Sequence, residues 1–133
     1  MELKQCPYCG GKVFLKDSDI IYGKSYGYVY ICENFPECDS YVGTHKKTLK
    51  PLGRLANREL RQLKVTAHKY FDIMWKIKKQ RGDKQARKKA YKWLSKQLGL
   101  HFDDTHIGYF DIETTKKVIE ICRPYYDKLK KVK

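Results

Sequence analysis

The sequence predicts an α+β fold. A small antiparallel sheet, drawn together by four cysteines, precedes a basic three-helix domain whose third helix is kinked. Three observations predict it. Four cysteines fall in two pairs within the first 40 residues, the segments between the pairs alternate with period two, and from Arg54 apolar residues recur every three or four positions. The expected boundaries are 1–44 for the sheet unit, 45–53 for a linker and 54–133 for the helical domain.

The cysteines come first. Cys6 and Cys9 read C-x2-C, and after 22 intervening residues Cys32 and Cys38 read C-x5-C. Two thiolates joined by a tight turn grip one ion from adjacent corners of a tetrahedron, and two such turns facing each other close a four-sulfur site suited to zinc. Gly10-Gly11 permits the backbone of the first turn, and Pro36 stiffens the wider second one. Disulfides fit poorly in a chain that lacks a secretory signal, and a single redox pair leaves the second two cysteines unexplained. Four cysteine ligands leave no open coordination position, so the expected zinc, one per chain, is structural. Cys122 stands apart in a helical pattern and reads as a small core residue.

Between the pairs, Lys12–Lys16 and Tyr26–Ile31 are rich in β-formers, while 17–19 and 22–25 read as turn material. Ser40–Gly43 is a third short strand. The result is a zinc ribbon. Its tyrosines, with Phe35, outnumber what so small a sheet buries. Alternation places Tyr26, Tyr28 and Tyr30 on one face, opposite Val29 and Ile31. Two uses are open to that face: stacking on unpaired bases, with Tyr22 and Phe35 as further candidates, or covering the apolar stripe of the helical domain.

The run CPYCGGKVFL…YICENFPECDSYVG, residues 6–43, resembles the C-terminal zinc ribbons of bacterial type IA topoisomerases. That resemblance implies single-stranded DNA binding through sheet aromatics. The gap between the cysteine pairs exceeds the usual ribbon spacing, and no topoisomerase catalytic core is present. The whole chain, including Lys50-Pro51-Leu52-Gly53 and His106-Ile107-Gly108, also resembles a family of small zinc-finger-containing proteins of phages and prophages, one with no assigned function.

Thr44–Gly53 is polar and ends in a breaker cluster, hence the expected linker. A first helix runs from Arg54, or from a cap at Asn57, to Arg81-Gly82, with Leu60, Leu63, Ala67, Tyr70, Phe71, Met74 and Ile77 on its apolar side. Asp83 caps a second helix, Lys84–Leu98, which Gly99 ends. Asp111 caps a third, from Ile112 to about Lys130, which Pro124 should kink or split.

Charge sharpens the functional reading. The chain carries 29 Lys+Arg against 15 Asp+Glu, net +14. Residues 51–101 hold net +12 of this, and the flanking segments are each +1. Zinc held by four thiolates brings the total to about +12. A field so concentrated attracts polyanions. The candidate backbone contacts are Arg58, Arg61, Lys78, Lys79, Arg81, Arg87, Lys88 and Lys89, most of them flanking Gly82. Few residues beyond Gln85 suit base readout, so the expected binding is largely independent of sequence, to single-stranded or structured DNA or RNA.

Other classes are weaker. No apolar run approaches the ~18 residues of a membrane span, and with no signal the expected location is the cytoplasm, that of the host if the protein is phage-encoded. His101, Asp103, Asp104, His106, Asp111 and Glu113 form the one dense titratable cluster, which a metal-dependent nuclease would use. Capping and turn roles account for its aspartates, and no catalytic residue is assigned. The remaining rival is an adaptor that docks its aromatic face on a host polymerase or another nucleic-acid-processing protein.

Overall fold

The computed structural model describes residues 3–131. Met1, Glu2, Val132 and Lys133, at the two ends of the expected domains, lie outside the described residues. The chain divides into two compact units, Met1–Arg61 and Gln62–Lys133.

In the first unit, β1 (Val13–Asp17), β2 (Tyr28–Cys32) and β3 (Tyr41–Gly43) form an antiparallel sheet in the order β1-β2-β3. Val13 faces Cys32 and Asp17 faces Tyr28, while Ile31 faces Tyr41. This register puts Val29, Ile31, Phe14 and Tyr41 on one face and Tyr28, Tyr30, Leu15 and Val42 on the other. Val29 and Ile31 are buried as their alternation requires. A short helix, α1 (Asp19–Tyr22), occupies the segment expected as turn. Local polar bonds hold it. The buried Ser18 hydroxyl accepts the Tyr26 N–H at 2.7 Å, and the Asp17 carboxylate accepts the Asp19 N–H and the Ser25 hydroxyl, each at 3.0 Å.

Residues 45–53 differ from an extended linker. Thr44 pairs with Pro51, His45 N–H donates to the Lys50 carbonyl at 2.8 Å, and Leu52 N–H returns to Gly43 at 2.9 Å. Tyr41 and Ala56 then exchange two backbone hydrogen bonds of 3.1 Å. The polar composition gave no sign of these bonds, because the backbone makes them. The boundary between the units falls at 61/62 instead. Leu55, fully buried, packs with Cys6 and Cys32 beside Val13, Tyr30 and Val42, and this is the core under the cysteine site.

Helix α2 (Arg58–Gln80) starts at the Asn57 cap, whose side-chain oxygen accepts the Leu60 N–H at 2.9 Å. In the second unit follow α3 (Ala86–Leu98), two 3-10 turns at Phe102–Asp104 and Ile107–Tyr109, and α4 (Ile112–Lys131). Helix α3 begins two residues later than expected because Asp83 caps the preceding turn, taking the Gln85 N–H at 2.9 Å. Ala67, Phe71, Tyr91, Leu94, Ile107, Phe110, Val118 and Cys122 make the core. Burial pushes the Cys122 thiol up to about 11, as fits a packing residue.

The expected count of three helices becomes four with α1. Of the kink or split expected at Pro124, the split does not occur: α4 runs unbroken through it. Pro124 and Glu120 are both exposed, a setting in which a helix carbonyl that lacks its N–H partner costs little. Among the described residues, no helix is long and apolar enough to cross a membrane.

Candidate metal centre and basic surface

The two cysteine turns are built from short-range backbone bonds. Cys6 N–H donates to Gly11 at 2.8 Å and Gly10 N–H to Cys6 at 2.9 Å, which closes the first turn. Gly10 has φ +77°, the left-handed conformation that favours glycine. Gly11 is confined for a different reason: a Cβ there would stand 2.8 Å from the Asn34 side-chain nitrogen and push that amide aside. The second turn closes through Phe35 N–H to Cys32 and Cys38 N–H to Asn34, at 3.1 and 3.0 Å, with a cis Phe35–Pro36 peptide. The Glu33 carboxylate accepts the Lys12 N–H and fastens this turn to the start of the sheet.

These turns bring four sulfurs together. All four Sγ atoms of Cys6, Cys9, Cys32 and Cys38 lie within 4.8 Å of one another. Cys6 and Cys38 are 3.6 Å apart, and Cys9 and Cys32 are 3.3 Å apart. Zinc–sulfur bonds of ~2.3 Å in a tetrahedron imply edges of about 3.8 Å, so the donor set fits one structural zinc ion. Among the described residues it is the one group of three or more Cys, His, Asp or Glu side chains placed to share an ion. His101, Asp103, Asp104, His106, Asp111 and Glu113 form no such group.

Donors aimed at sulfur complete the centre. Gly11 N–H and the Asn34 side-chain amide each donate to Cys9, Asn34 N–H donates to Cys32, and Ser40 Oγ contacts Cys38, all at 3.4 Å. The Asn34 amide and the Gly11 N–H hold the Cys9 thiol down at about 6, so it is a thiolate at neutral pH. Burial pushes Cys32 up to about 12 and raises Cys38. Asn34 and Ser40 were not among the residues expected from the sequence. Their signal is positional: each sits two residues beyond a cysteine, where a turn points its N–H or side chain back at the sulfur.

The ribbon aromatics separate into two groups. Tyr30 is half-buried, belongs to the core beside Cys32 and donates its hydroxyl to Leu49 at 3.1 Å, so it packs. Tyr26 precedes β2, because Gly27 at φ +108° breaks the alternation, and it does not share the Tyr28–Tyr30 face by register. Its ring instead meets Tyr22 edge-on at 5.6 Å. Tyr22 meets Tyr41 at 6.4 Å, and Tyr41 meets Phe35 at 6.3 Å. Tyr26 and Tyr22 are 69% and 54% exposed, so this strip offers ring surface to a ligand; Tyr28, 49% exposed, stands outside it.

Arg61 is committed within the first unit. Its guanidinium donates to the Asp39 and Ala56 carbonyls, each at 2.6 Å, pairs with the Asp39 carboxylate at 3.5 Å and lies 4.1 Å over the Tyr41 ring. Arg58 is exposed, and its backbone N–H donates to Asp39. In the second unit Lys78, Lys79, Arg81, Arg87, Lys88 and Lys89 are all exposed around the α2–α3 turn. Lys89 pairs with Asp83 at 3.2 Å. Trp75, which the sequence reading passed over, lies among these charges: Lys76, Lys79 and Arg87 each place a cationic group 5.8–6.0 Å from its ring.

Among protein families, the model of a zinc-finger-containing domain, DUF3268, matches residues 2–125. This match covers nearly the whole chain and extends well beyond the stretch that resembles a topoisomerase ribbon. No curated protein matches, and no solved structure matches.

Proposed function

The chain belongs to this zinc-finger-containing domain family, and from that premise we propose that it binds nucleic acid, largely without sequence preference, through a basic surface and an aromatic ribbon built on a structural zinc. The carrying observation is the α2–α3 turn. Residues 76–92 contain nine Lys and Arg and one acid, Asp83, and that acid faces Gln85 N–H and Lys89. Cations so placed neutralise phosphates and release counterions.

The ribbon contributes separately. Its four sulfurs fix the second cysteine turn and with it Phe35, while Tyr41, Tyr22 and Tyr26 continue the strip. Rings in this arrangement stack on unpaired bases, which agrees with the topoisomerase-ribbon resemblance of residues 6–43. A phage accessory role in the host cytoplasm is the setting that the whole-chain resemblance supports.

Fluorescence anisotropy of zinc-loaded protein on labelled single- and double-stranded oligonucleotides across a salt series tests this reading. Six phosphate contacts give a log–log slope of about −4 to −5. An absence of binding to any DNA or RNA at low salt sinks it.

A second reading, docking on a nucleic-acid-processing protein, is favoured by the apolar groups displayed by α1 and the turn after it: Ile20, Tyr22 and Tyr26 are all exposed. Exposed aromatics of this kind anchor protein interfaces. A partner retained after nuclease treatment, and lost in Tyr22→Ala, would support it.

A further inference from the structure

A cavity of about 280 Å³ opens in the second unit between the first turn of α3 and the two 3-10 turns. Lys84, Arg87 and Lys88 line it together with Tyr91, Phe102, Thr105 and His106, and the Tyr91 ring is buried against Arg87. Among the described residues no carboxylate lines it. Asp83, the one acid of the adjoining turn, lines a different cavity with Lys89. The first turn of α3 likewise contains no acidic residue.

The cationic and the ring side chains of this lining suit two parts of one ligand. Arg87 lies 4.9 Å from the Tyr91 ring centroid, which holds its planar fork against an aromatic face. Tyr91 and Phe71 pack at 4.7 Å in the core, so this support is rigid. His106 stands 6.4 Å from Tyr91 and is braced edge-on by Tyr109 at 5.9 Å. Lys92 adds a cation 6.0 Å from the Phe102 ring. Three cations beside the half-buried Phe102 ring and the exposed His106 ring match a phosphate joined to a base.

Size and charge narrow the choice. The volume lies at the bottom of the range for small-molecule sites, about 300–1,000 Å³, so it takes one nucleotide and not a run of them. A terminal phosphomonoester carries about −1.5 to −2 at neutral pH, against about −1 for each phosphate within a strand. Three cations around so small a space favour the dianion.

We propose that this cavity receives a nucleoside monophosphate group, presented as the phosphorylated end of a strand or as a free nucleotide. The strand-end form rests on the nucleic-acid reading above; the free-nucleotide form does not. The cavity would then add end recognition to a surface that otherwise follows backbones.

The test uses full-length zinc-loaded protein. Anisotropy compares one short oligonucleotide with a 5′-phosphate and with a 5′-hydroxyl, and amide NMR follows titrations with AMP, adenosine and inorganic phosphate. The expected result is a preference of about fivefold or more for the phosphorylated strand, with AMP shifting amides near Arg87 and His106 where adenosine does not. Arg87→Gln and Lys88→Gln, both at exposed positions, should bring the preference close to one. Lys79→Gln, outside the cavity, should weaken both strands alike and keep the ratio. A response to AMP with no preference between strands assigns the site to free nucleotides, and the same response without any strand binding also removes the nucleic-acid reading. Equal strand affinities together with no response to AMP overturn the proposal.

Discussion

The Asn34 side-chain amide lies 3.4 Å from Cys9 Sγ, a hydrogen bond that ties the second cysteine turn to the exposed ligand of the first. Cys9 lacks the burial that protects Cys6 and Cys32, so its position depends on such donors. Removing a group that orients a metal ligand typically weakens metal binding by about 10–100-fold. Asn34→Ala should therefore lower zinc affinity within that range in a chelator competition, while the Asn34 backbone N–H still serves Cys32. Gly11→Ala should act in the same direction, because its methyl displaces that amide.

Zinc loading should release protons, and the thiols indicate how many. Cys32, pushed up to about 12, and Cys38, raised by burial, are protonated at pH 7 in the metal-free chain, whereas Cys9 at about 6 is already ionised. Zinc takes thiolates, so Cys32 and Cys38 must each give up a proton on binding. A group whose pKa lies above the working pH costs metal affinity as pH falls. The affinity should drop about a hundredfold per pH unit near neutrality from these two alone, and more steeply once Cys9 protonates below about 6. Calorimetry in buffers of different ionisation enthalpy counts the protons, and fewer than two per zinc contradicts this assignment.

Spacing made the metal centre legible, because four ligands held by two tight turns must recur at short fixed intervals, and Cys6, Cys9, Cys32 and Cys38 do. The apolar period of Ala67, Phe71, Val118 and Cys122 showed the helical core for the same reason. Backbone pairing left no such trace. Residues 45–53 look like a linker because His45, Lys46 and Lys47 are polar and Lys50-Pro51-Leu52-Gly53 is a breaker cluster, yet the bonds that fold them back use main-chain groups. The strip from Tyr26 to Phe35 was hidden because α1 and the Gly27 turn set it, overriding the alternation that would place Tyr26 with Tyr30. Pro124 sits inside a continuous α4, so of the two outcomes its missing N–H allows, the helix does not split.

Arg61 should prove a stability residue first. Its fork ties the Asp39 carbonyl ahead of β3 to the Ala56 carbonyl ahead of α2 and stacks on Tyr41, and a hydrogen bond to a charged group is worth about 1.5–3 kcal/mol. Arg61→Ala should lower the unfolding free energy of the zinc-loaded protein by about 2 kcal/mol. Arg61→Lys should recover only part of this, since an ammonium cannot present the planar fork. Denaturant titration checks both, and a lysine variant as stable as the parent would show that the clamp needs only charge.

Asp111 separates a cap from a catalytic acid. Its carboxylate accepts the Thr114 N–H at 2.8 Å and its carbonyl accepts the Thr115 hydroxyl at 2.7 Å, at the start of α4. Replacing such a cap with alanine costs about 1 kcal/mol, and asparagine caps almost as well as aspartate. Thermal melts should therefore show Asp111→Ala destabilised and Asp111→Asn near the parent. Nuclease activity lost in the asparagine variant, with stability intact, would restore the catalytic reading of this segment.

The two proposed nucleic-acid surfaces should respond differently to salt, because their forces differ. Lys78, Lys79 and Arg81 act by neutralising phosphate, so replacing all three with glutamine should flatten the log–log salt slope by about 2–3. Tyr22 and Tyr26 act through ring surface that ions do not screen. Tyr22→Ala with Tyr26→Ala should cost about 1–3 kcal/mol per base unstacked, at every salt concentration, with the slope unchanged. Single strands should feel this loss and duplexes should not, since paired bases offer no free face. A tyrosine variant that changes the slope, or weakens duplex and single strand equally, would mean that the strip serves the ribbon's own packing or a protein partner instead.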